Sequence, residues 1–243
     1  MPQRLRILAG PNGSGKTSVY RELRDRYHWG IFVNADELER LLQETGSVDL
    51  REYAIPVLNK EAFLAAYVQY FQSLSTSCDI NNLSIEEARV SVLDTTKIDS
   101  YFAAFLATFI RERLLEMGIS FSFETVMSHP NKVAFIEKAR QCGYRVYLYF
   151  VSTQSVEINI GRVHTRVLEG GHDVPEDKVR KRYVLSMANL YGAVKQTNRA
   201  YIFDNSGKKC ELLAEYDAED NSLEVHHVTQ WLQDYLLNKA EQH

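Results

Sequence analysis

The residues from Gly10 to Thr17 combine glycines, a lysine and a threonine in the order typical of a phosphate-binding loop. They fit the P-loop pattern of a glycine, four residues and Gly-Lys-Thr, and an apolar strand precedes them and a helix follows. The glycines let successive backbone N–H groups point at a phosphate, and the helix adds the positive end of its dipole. In such loops the lysine, Lys16, reaches the β- and γ-phosphates, and the hydroxyl of Thr17 binds Mg²⁺. The predicted nucleotide-binding residues are Gly10, Pro11, Asn12, Gly13, Ser14, Gly15, Lys16, Thr17 and Ser18.

Polar residues end two further predicted strands. Asn34 and Asp36 follow one short apolar strand, and Glu124 and Thr125 end another. In open parallel sheets the ligand binds at the carboxyl ends of the strands. We expect Asp36 to accept a proton from a substrate hydroxyl or to help hold Mg²⁺, the alternative role being the N-cap of the next helix. We expect Glu124 to hold a substrate hydroxyl or a water bound to Mg²⁺, the alternative being a solvated strand end.

A basic cluster lies on either side of the Gly170-Gly171 pair. Its members are Arg162, His164, Arg166, His172, Arg180, Lys181 and Arg182. Kinases commonly close a mobile segment that brings arginines onto the transferred phosphoryl group, and the glycine pair would supply a hinge. The alternative is a solvated basic helix face. Arg162 and Arg166, at four-residue spacing, share one face of the predicted helix, which favours a joint role.

The composition is that of an ordinary folded protein. The 243 residues are 45% hydrophobic and 25% charged, enough to form the core of one domain or of one domain with a sizeable insertion. The formal net charge of -4 argues against nucleic acid as the main ligand. No apolar run approaches the length of a membrane span, and the chain starts with a strand rather than a signal peptide. We therefore expect a cytoplasmic protein without membrane contact.

Predicted strands alternate with predicted helices along most of the chain. This alternation predicts a doubly wound α/β sheet, and the chain is expected to end in a β-hairpin and a closing helix. One long amphipathic helix is predicted over residues 100–117, with Gly118 as its end. The apolar residues of its buried face are Phe102, Phe105, Leu106, Phe109, Ile110, Leu114 and Leu115.

The segment from about residue 46 to about residue 96 has a different pattern. Its apolar residues have helical spacing over residues 62–71, and Ser84 with Glu87 fits a capping box at a helix start. The pattern predicts an all-helical insertion within a single domain that covers residues 1–243. The segment also contains a short apolar run before Asp94, as in a Walker B site, but we favour Asp94 or Thr95 as the cap of the helix that follows.

Several segments match one known family. They are Gly10–Thr17, Asn34–Glu37, Phe121–Ser128, Arg166–Pro175, Arg180–Tyr183 and Phe203–Ser206. Together they resemble the zeta-toxin-like P-loop ATPases, and Gly-Gly-His-Asp-Val-Pro is much more specific than the P-loop alone. The resemblance implies the fold of small-molecule and nucleotide kinases, with a P-loop kinase-like parallel sheet flanked by helices. The best-understood members are toxins that phosphorylate the sugar 3′-hydroxyl of UDP-N-acetylglucosamine.

The resemblance also implies roles for individual residues. Asp36 would be the base for the acceptor hydroxyl, Lys16 a phosphate binder and Glu124 a substrate contact. Arg166 with Arg180 or Arg182 would form a charge-stabilising lid. The remaining expected site residues are Asn34, Thr125 and His172 for the substrate, and Thr17 and Asp36 for Mg²⁺. The lid and the insertion depart from the compact family pattern, which leaves a different acceptor open.

The sequence thus predicts an ATP- and Mg²⁺-dependent kinase that transfers the γ-phosphate to a small-molecule hydroxyl acceptor. UDP-N-acetylglucosamine is the acceptor that the resemblance implies, and another sugar or a nucleotide is the first alternative. A regulatory NTPase is a second alternative, although no glutamine is obviously placed to orient a water molecule. A third is a toxin whose nucleotide site is masked by an antitoxin partner.

Overall fold

The computed structural model describes residues 2–77, 79–171 and 173–242. Strands and helices alternate along the chain, with short 3-10 turns at Leu50–Tyr53, Ile80–Asn82 and Thr95–Lys97. In chain order the elements are β1 (Arg4–Ala9), α1 (Lys16–Leu23), β2 (Ile31–Val33), α2 (Ala35–Thr45), β3 (Ser47–Asp49), α3 (Lys60–Ser73), β4 (Leu83–Glu86), β5 (Arg89–Val92), α4 (Ser100–Glu116), β6 (Phe121–Thr125), α5 (Asn131–Gln141), β7 (Arg145–Ser152), α6 (Val156–Leu168), α7 (Glu176–Gln196), β8 (Arg199–Asp204), β9 (Glu211–Asp217), β10 (Ser222–Val225), α8 (Gln230–Leu232) and α9 (Asn238–Ala240). A π-helical turn, Gln233–Leu237, joins α8 to α9. None of the helices in these ranges combines the length and apolar character needed to cross a bilayer.

The predicted α/β class is confirmed, with a mostly parallel central sheet and flanking helices. The chain divides into two compact units, one formed by Met1–Trp29 with Ser122–His243 and the other by Gly30–Phe121. In the first unit the strand order is β10-β9-β8-β7-β1-β6. Strand β7 pairs in parallel with β1 and with β8, whereas β8, β9 and β10 pair antiparallel. The predicted C-terminal hairpin is β9–β10, and the predicted closing helix is the segment from α8 to α9.

The register of the central strands brings three loops of the first unit together. Strand β7 is a nearly continuous apolar run that is buried along most of its length, as expected for a parallel strand covered by helices on both faces. Ala9 of β1 lies opposite Phe150 of β7, and Phe150 lies opposite Ile202 of β8. Because these strands are parallel, the loops that follow them meet at one edge of the sheet.

The second unit is built around α4. All seven apolar residues predicted for the buried face of this helix are buried, and Gly118, at φ 67°, follows its end as predicted. Helices α2 and α3 pack against α4. The ring of Phe63 on α3 contacts the rings of Phe105 and Phe109 on α4, with centroids 5.3 and 4.9 Å apart. Aromatic packing therefore joins α3 to α4.

The all-helical insertion predicted for about residues 46–96 is wrong, because this segment also contains a three-stranded antiparallel sheet in the order β3-β5-β4. The predicted capping box is a hairpin. Ser84 lies in β4, and Glu87, at φ 52°, lies in the turn before β5. Buried Val90 of β5 lies between Val48 and Ile85 on the neighbouring strands. The segment is thus mixed, with α3 as its long helix.

The prediction that Asp94 or Thr95 caps the helix that follows is confirmed only for Asp94 and a short 3-10 turn, Thr95–Lys97, because the N-cap of the long helix α4 is Asp99. The Asp94 carboxylate accepts a hydrogen bond of 3.1 Å from the Thr96 N–H at the start of a short 3-10 turn. This hydrogen bond accounts for Asp94 as a turn cap, without a Walker B role in Mg²⁺ binding. That the chain forms a single domain over residues 1–243 stays a prediction.

Candidate phosphate-binding site

The predicted P-loop connects β1 to α1 in the first unit. The backbone turns sharply at Gly13 and Gly15, whose φ angles are 73° and 90°. Gly15 occupies the N-cap position of α1, and no side chain caps this helix. No side chain therefore competes with a ligand at the start of α1, where the positive end of the helix dipole lies. Thr17 and Ser18 lie in the first turn and are exposed.

Lys16 and Glu124, two residues predicted for the site, are close together. The Lys16 side chain is buried, with 6% of the residue exposed, and its ammonium group donates to the carbonyl oxygens of Gly10 (2.9 Å) and Pro11 (3.0 Å). The ammonium also lies 3.5 Å from a carboxylate oxygen of Glu124, whose side chain is 21% exposed. Two carbonyl oxygens and a carboxylate thus compensate the positive charge of this buried ammonium group. The arrangement places a cation inside the loop and an acid at its margin.

Thr125, predicted to contact the substrate, supports the loop in this structure. Its carbonyl oxygen accepts a hydrogen bond from the Gly10 N–H (3.2 Å), and its hydroxyl accepts one from the Met127 N–H (3.1 Å). Both bonds involve backbone groups. The observed contacts of Thr125 thus tie the end of β6 to the first residue of the P-loop.

Two asparagines with no predicted role bind carbonyl oxygens on the outer side of the loop. The side-chain amide of Asn159, on α6, donates to the carbonyl of Asn12 (2.5 Å). The side-chain amide of Asn205, after β8, donates to the carbonyl of Ser14 (2.8 Å). Asn205 lies within the Phe203–Ser206 segment that the family resemblance had included, which was a usable signal. Asn159 carried no such signal.

The arginines of the basic cluster have different environments. Arg162 of α6 is half-buried, and its Nη1 lies 3.9 Å from the position that a Cβ on Gly15 would take. Arg180 of α7 is exposed and forms ion pairs with Glu157 (2.8 Å) and Glu176 (2.7 Å). The hydrogen bond from Arg180 lowers the pKa of the Glu157 carboxyl. The arginine nearest to the P-loop glycine is thus Arg162.

Arg166 and Arg182, the other predicted arginines of the lid, differ in exposure. Arg166 of α6 is exposed, and Arg182 of α7 is half-buried. The Arg166 carbonyl accepts a hydrogen bond from the Gly171 N–H (2.8 Å), which closes the end of α6. His172, predicted to contact the substrate, lies outside the described residues.

Three buried polar atoms around the loop lack a hydrogen-bond partner among the residues that the structure describes. They are Asn12 Oδ1, Ser14 Oγ and Arg162 Nη1. A buried polar atom without a partner is costly, and such atoms call for a polar ligand. The Ser14 hydroxyl and the Arg162 guanidinium can both donate to phosphate oxygens. These side chains, with Lys16 and the N-terminus of α1, fit the phosphates of a nucleotide.

The residues expected to bind Mg²⁺ are compatible with a nucleotide-bound ion. Within residues 2–77, 79–171 and 173–242, no three His, Cys, Asp or Glu side chains cluster as metal ligands. Mg²⁺ in phosphate sites keeps several waters and takes only one or two protein ligands beside the phosphates. The exposed hydroxyl of Thr17 at the start of α1 suits such a role.

Asn34 and Asp36 belong to the second unit, at the start of α2. The N-cap is Asn34, whose side-chain oxygen accepts a hydrogen bond of 2.9 Å from the Asp36 N–H. The alternative role of Asp36 as N-cap is therefore wrong. Its carboxylate lies in the first turn and is exposed, so it is available to another group.

The second unit also contains a cavity of about 170 Å³, with walls that include Tyr67, Phe71 and Phe102. Its charged side chains have partners within the unit. Lys97 pairs with Asp79 at 3.2 Å, and the Asp99 carboxylate caps α4. The cavity offers aromatic surface and polar groups that are already bonded, so it is a poorer candidate for phosphate chemistry than the P-loop.

Comparison of the sequence with known proteins gives one family match and one relative. The sequence model of the zeta toxin family matches residues 84–215, which is more than half of the chain and begins after the P-loop. An uncharacterised protein of Haemophilus influenzae is 33% identical over 69 residues, which are 28% of this chain and 49% of that protein. The chain thus spans about half the length of this relative.

Solved structures share the fold at low sequence identity. The native complex of AvrRxo1-ORF1 and -ORF2 aligns with a TM-score of 0.58 at 14% identity, over 97% of this chain and 64% of that chain. The same complex with ATP aligns with a TM-score of 0.54 at 15% identity, over 93% and 61%. The PezAT chromosomal toxin-antitoxin system of Streptococcus pneumoniae gives 0.52 at 15% identity, over 98% and 80%. This chain spans less than two thirds of the AvrRxo1 chains.

The two kinds of likeness concern different properties. At identities of 14–15%, the solved structures show the fold alone, which is an α/β fold with a mostly parallel central sheet flanked by helices. The sequence match shows the family, because it covers more than half of the residues. The chain belongs to the zeta toxin family.

Proposed function

We propose that this protein is a kinase that uses ATP and Mg²⁺ to phosphorylate a hydroxyl group of a small molecule. The observation that supports the proposal is the P-loop itself, in which buried Lys16 lies beside Glu124. Near it, the buried Ser14 Oγ and Arg162 Nη1 have no hydrogen-bond partner in the described residues and can donate to a polar ligand. UDP-N-acetylglucosamine is the first acceptor to test, because the family resemblance implies it. Another sugar or a nucleotide would leave every role below unchanged.

The proposed roles follow from the chemistry of each side chain. ATP supplies the γ-phosphoryl group. The loop N–H groups and Lys16 hold its phosphates, and the Thr17 hydroxyl binds Mg²⁺. Asp36 is proposed as the base that takes the proton from the acceptor hydroxyl, with a share in Mg²⁺ binding. Glu124 is proposed to hold the acceptor, together with Asn34, Thr125 and His172.

The negative charge on the transferred phosphoryl group requires cationic side chains nearby. Among the arginines of the basic cluster, the contacts favour Arg162 for this role. Its Nη1 is buried without a partner in the described chain, whereas Arg180 is already paired with two carboxylates. A guanidinium that is free to turn toward phosphate oxygens can form two parallel hydrogen bonds. Arg166 and Arg182 remain proposed members of the same lid.

A protein partner is proposed as well. The Streptococcus pneumoniae relative of this fold belongs to a toxin-antitoxin system, and an antitoxin that covers the nucleotide site would restrain this kinase in the cytoplasm. Expression of the chain alone should then arrest growth, and Lys16→Ala should relieve the arrest. Harmless expression of the wild-type chain would favour a metabolic kinase.

The decisive experiment is a phosphate-transfer assay with Mg-ATP and a panel of UDP-sugars, sugars and nucleotides. We expect Asp36→Asn to lower transfer about a hundredfold or more, the usual effect of losing a general base. Glu37→Gln is the matched control, since Glu37 is an exposed carboxylate in the same helical turn. ATP hydrolysis that is equally fast without any acceptor and unaffected by Asp36→Asn would replace the kinase with a regulatory NTPase.

A further inference from the structure

Two side-chain amides donate hydrogen bonds to backbone carbonyls on the outer side of the P-loop. Asn159 bonds to the Asn12 carbonyl and Asn205 to the Ser14 carbonyl, at 2.5 and 2.8 Å. The approach of Asn205 is so close that a Cβ on Gly15 would lie 1.9 Å from its amide nitrogen. Only glycine at position 15 leaves room for this contact.

These two bonds determine where the neighbouring N–H groups point. A trans peptide unit is planar, so its C=O and the N–H of the next residue point in opposite directions. When the Ser14 carbonyl points at Asn205, the Gly15 N–H points the opposite way, and the Asn12 carbonyl similarly directs the Gly13 N–H. A peptide unit next to a glycine can flip at little cost in conformational energy, because glycine adopts both positive and negative φ. Without the amides, the orientation of these two N–H groups would be poorly determined.

Asn205 is itself held in place by its neighbours in the first unit. Its backbone N–H donates to the Ser152 carbonyl at the end of β7 (2.8 Å). The preceding Asp204 carboxylate accepts from the Ser206 N–H (2.8 Å) and from the indole N–H of Trp231 (2.7 Å). The amide therefore reaches the loop from a rigid base formed by two strand ends and the C-terminal segment.

Asn159 has a comparable support. It is fully buried, and its side-chain oxygen accepts a hydrogen bond from the Thr153 hydroxyl after β7. The amide nitrogen is thereby turned toward the loop, because the oxygen is engaged on the other side. Both asparagines thus present a donor of fixed direction to a P-loop carbonyl.

We propose that Asn205 and Asn159 are positioning residues that fix the peptide orientation of the P-loop for phosphate binding. The proposal rests on the proposed nucleotide binding at this loop and adds the residues that prepare the loop for it. This role requires no contact between either asparagine and the phosphate. Each acts through a peptide group, by holding the Gly15 and Gly13 N–H groups in the direction that a phosphate requires.

The test compares Asn205→Ala with the control Asn198→Ala. Asn198 is also half-buried and also makes a side-chain hydrogen bond to a backbone group, in its case the Val146 N–H at 2.8 Å, but it lies next to the N-terminal end of β8. Isothermal titration calorimetry measures the Kd of Mg-ATP and of inorganic tripolyphosphate for the full chain. Chemical denaturation measures the stability of each variant.

We expect Asn205→Ala to raise the Kd of Mg-ATP and of tripolyphosphate by about tenfold each, the loss of roughly one well-oriented hydrogen bond to a charged group. Asn198→Ala should leave both Kd values unchanged at a similar loss of stability, which a purely structural role of Asn205 would not produce. Asn205→Ser, whose hydroxyl ends one bond short of the amide nitrogen, takes the place of Asn205→Ala if the latter does not fold.

Two results would overturn the proposal in different ways. If wild type binds Mg-ATP and Asn205→Ala binds tripolyphosphate as tightly as Asn198→Ala does, the positioning role is wrong and the proposed function stands. If wild type binds neither Mg-ATP nor tripolyphosphate, the proposed function falls and the positioning role falls with it.

Discussion

Gly13→Ala tests the close packing of the P-loop against α6. A Cβ at position 13 would lie 2.4 Å from the Asn159 carbonyl oxygen, whereas ordinary contacts begin at 3.4 Å. That oxygen belongs to the backbone of a buried helical residue, so it cannot rotate away. The loop must therefore move by about 1 Å, a displacement that can cost on the order of a hundredfold in a preorganised site.

The matched control is Gly143→Ala, in the loop after α5. Gly143 has a φ of 84°, close to the 73° of Gly13, but a Cβ there would meet no atom within 4 Å. Both substitutions incur the left-handed backbone strain of about 1–2 kcal/mol. Gly13→Ala adds an overpacking cost of about 1–3 kcal/mol. The difference between the two variants isolates the close approach of the loop to Asn159.

The assay combines urea denaturation with calorimetric titration of Mg-ATP. We expect Gly13→Ala to lower the free energy of unfolding by about 2–5 kcal/mol and to weaken ATP binding at least tenfold, whereas Gly143→Ala costs about 1–2 kcal/mol and binds ATP normally. Equal destabilisation of the two variants, together with unchanged ATP affinity in Gly13→Ala, would refute the packing of the loop described above.

Three further changes probe single features of the site and its support. Arg162→Ala should lower the rate of phosphate transfer about a hundredfold through loss of a charge-stabilising donor, and Arg140→Ala, an exposed arginine on α5, is the steady-state kinetic control. Trp231→Phe leaves the buried Asp204 carboxylate without its indole donor and should lower the free energy of unfolding in urea by about 1–3 kcal/mol, more than Trp29→Phe, whose indole bond is long at 3.4 Å. Burial raises the pKa of the Cys210 thiol from 9.0 to about 11, so its thiolate is scarce at neutral pH. Alkylation of Cys210, followed by peptide mass spectrometry, should keep rising above pH 9.0, and a plateau at that pH would contradict the buried environment.

The sheet of the first unit was predictable because its strands carry strong local patterns. β7 is a nearly continuous apolar run between polar segments, and only a strand buried on both faces tolerates such a run. The helix over residues 100–116 was equally predictable, since its apolar residues recur on one face over several turns. Long periodic segments average out the preferences of single residues.

The hairpin of β4 and β5 was missed because its turn lacks the usual residues. Glu87 adopts a positive φ of 52°, a conformation that hairpin turns normally give to glycine, asparagine or aspartate. The hairpin is instead held by tertiary contacts, since the carbonyls of Glu87 and Ala88 accept hydrogen bonds from the N–H groups of Leu58 and Leu50. Such bonds join residues far apart in sequence and leave no local signature.

In the candidate site, too, only part of the geometry was predictable from the sequence. Lys16 and Glu124 were predictable because parallel strands bring their carboxyl ends to one edge, a rule that needs only the strand order. The pairing of Glu176 with Arg180 was also readable, as an acid four residues before a base on one helix. The bonds from Asn159 and Asn205 to the loop were not, because they depend on the distance between segments that only the folded chain brings together.

The contacts of Asn205 connect the phosphate loop to the end of the chain. Trp231 lies beyond residues 84–215, the part that the family sequence shares, yet its indole holds Asp204, and the next residue, Asn205, holds the Ser14 carbonyl. Two hydrogen bonds and one peptide unit thus join the C-terminal helical segment to the P-loop. The buried Asp204 carboxylate has two donors, the Ser206 N–H and the Trp231 indole, so the C-terminal segment supplies one of the two hydrogen bonds that hold the residue before Asn205.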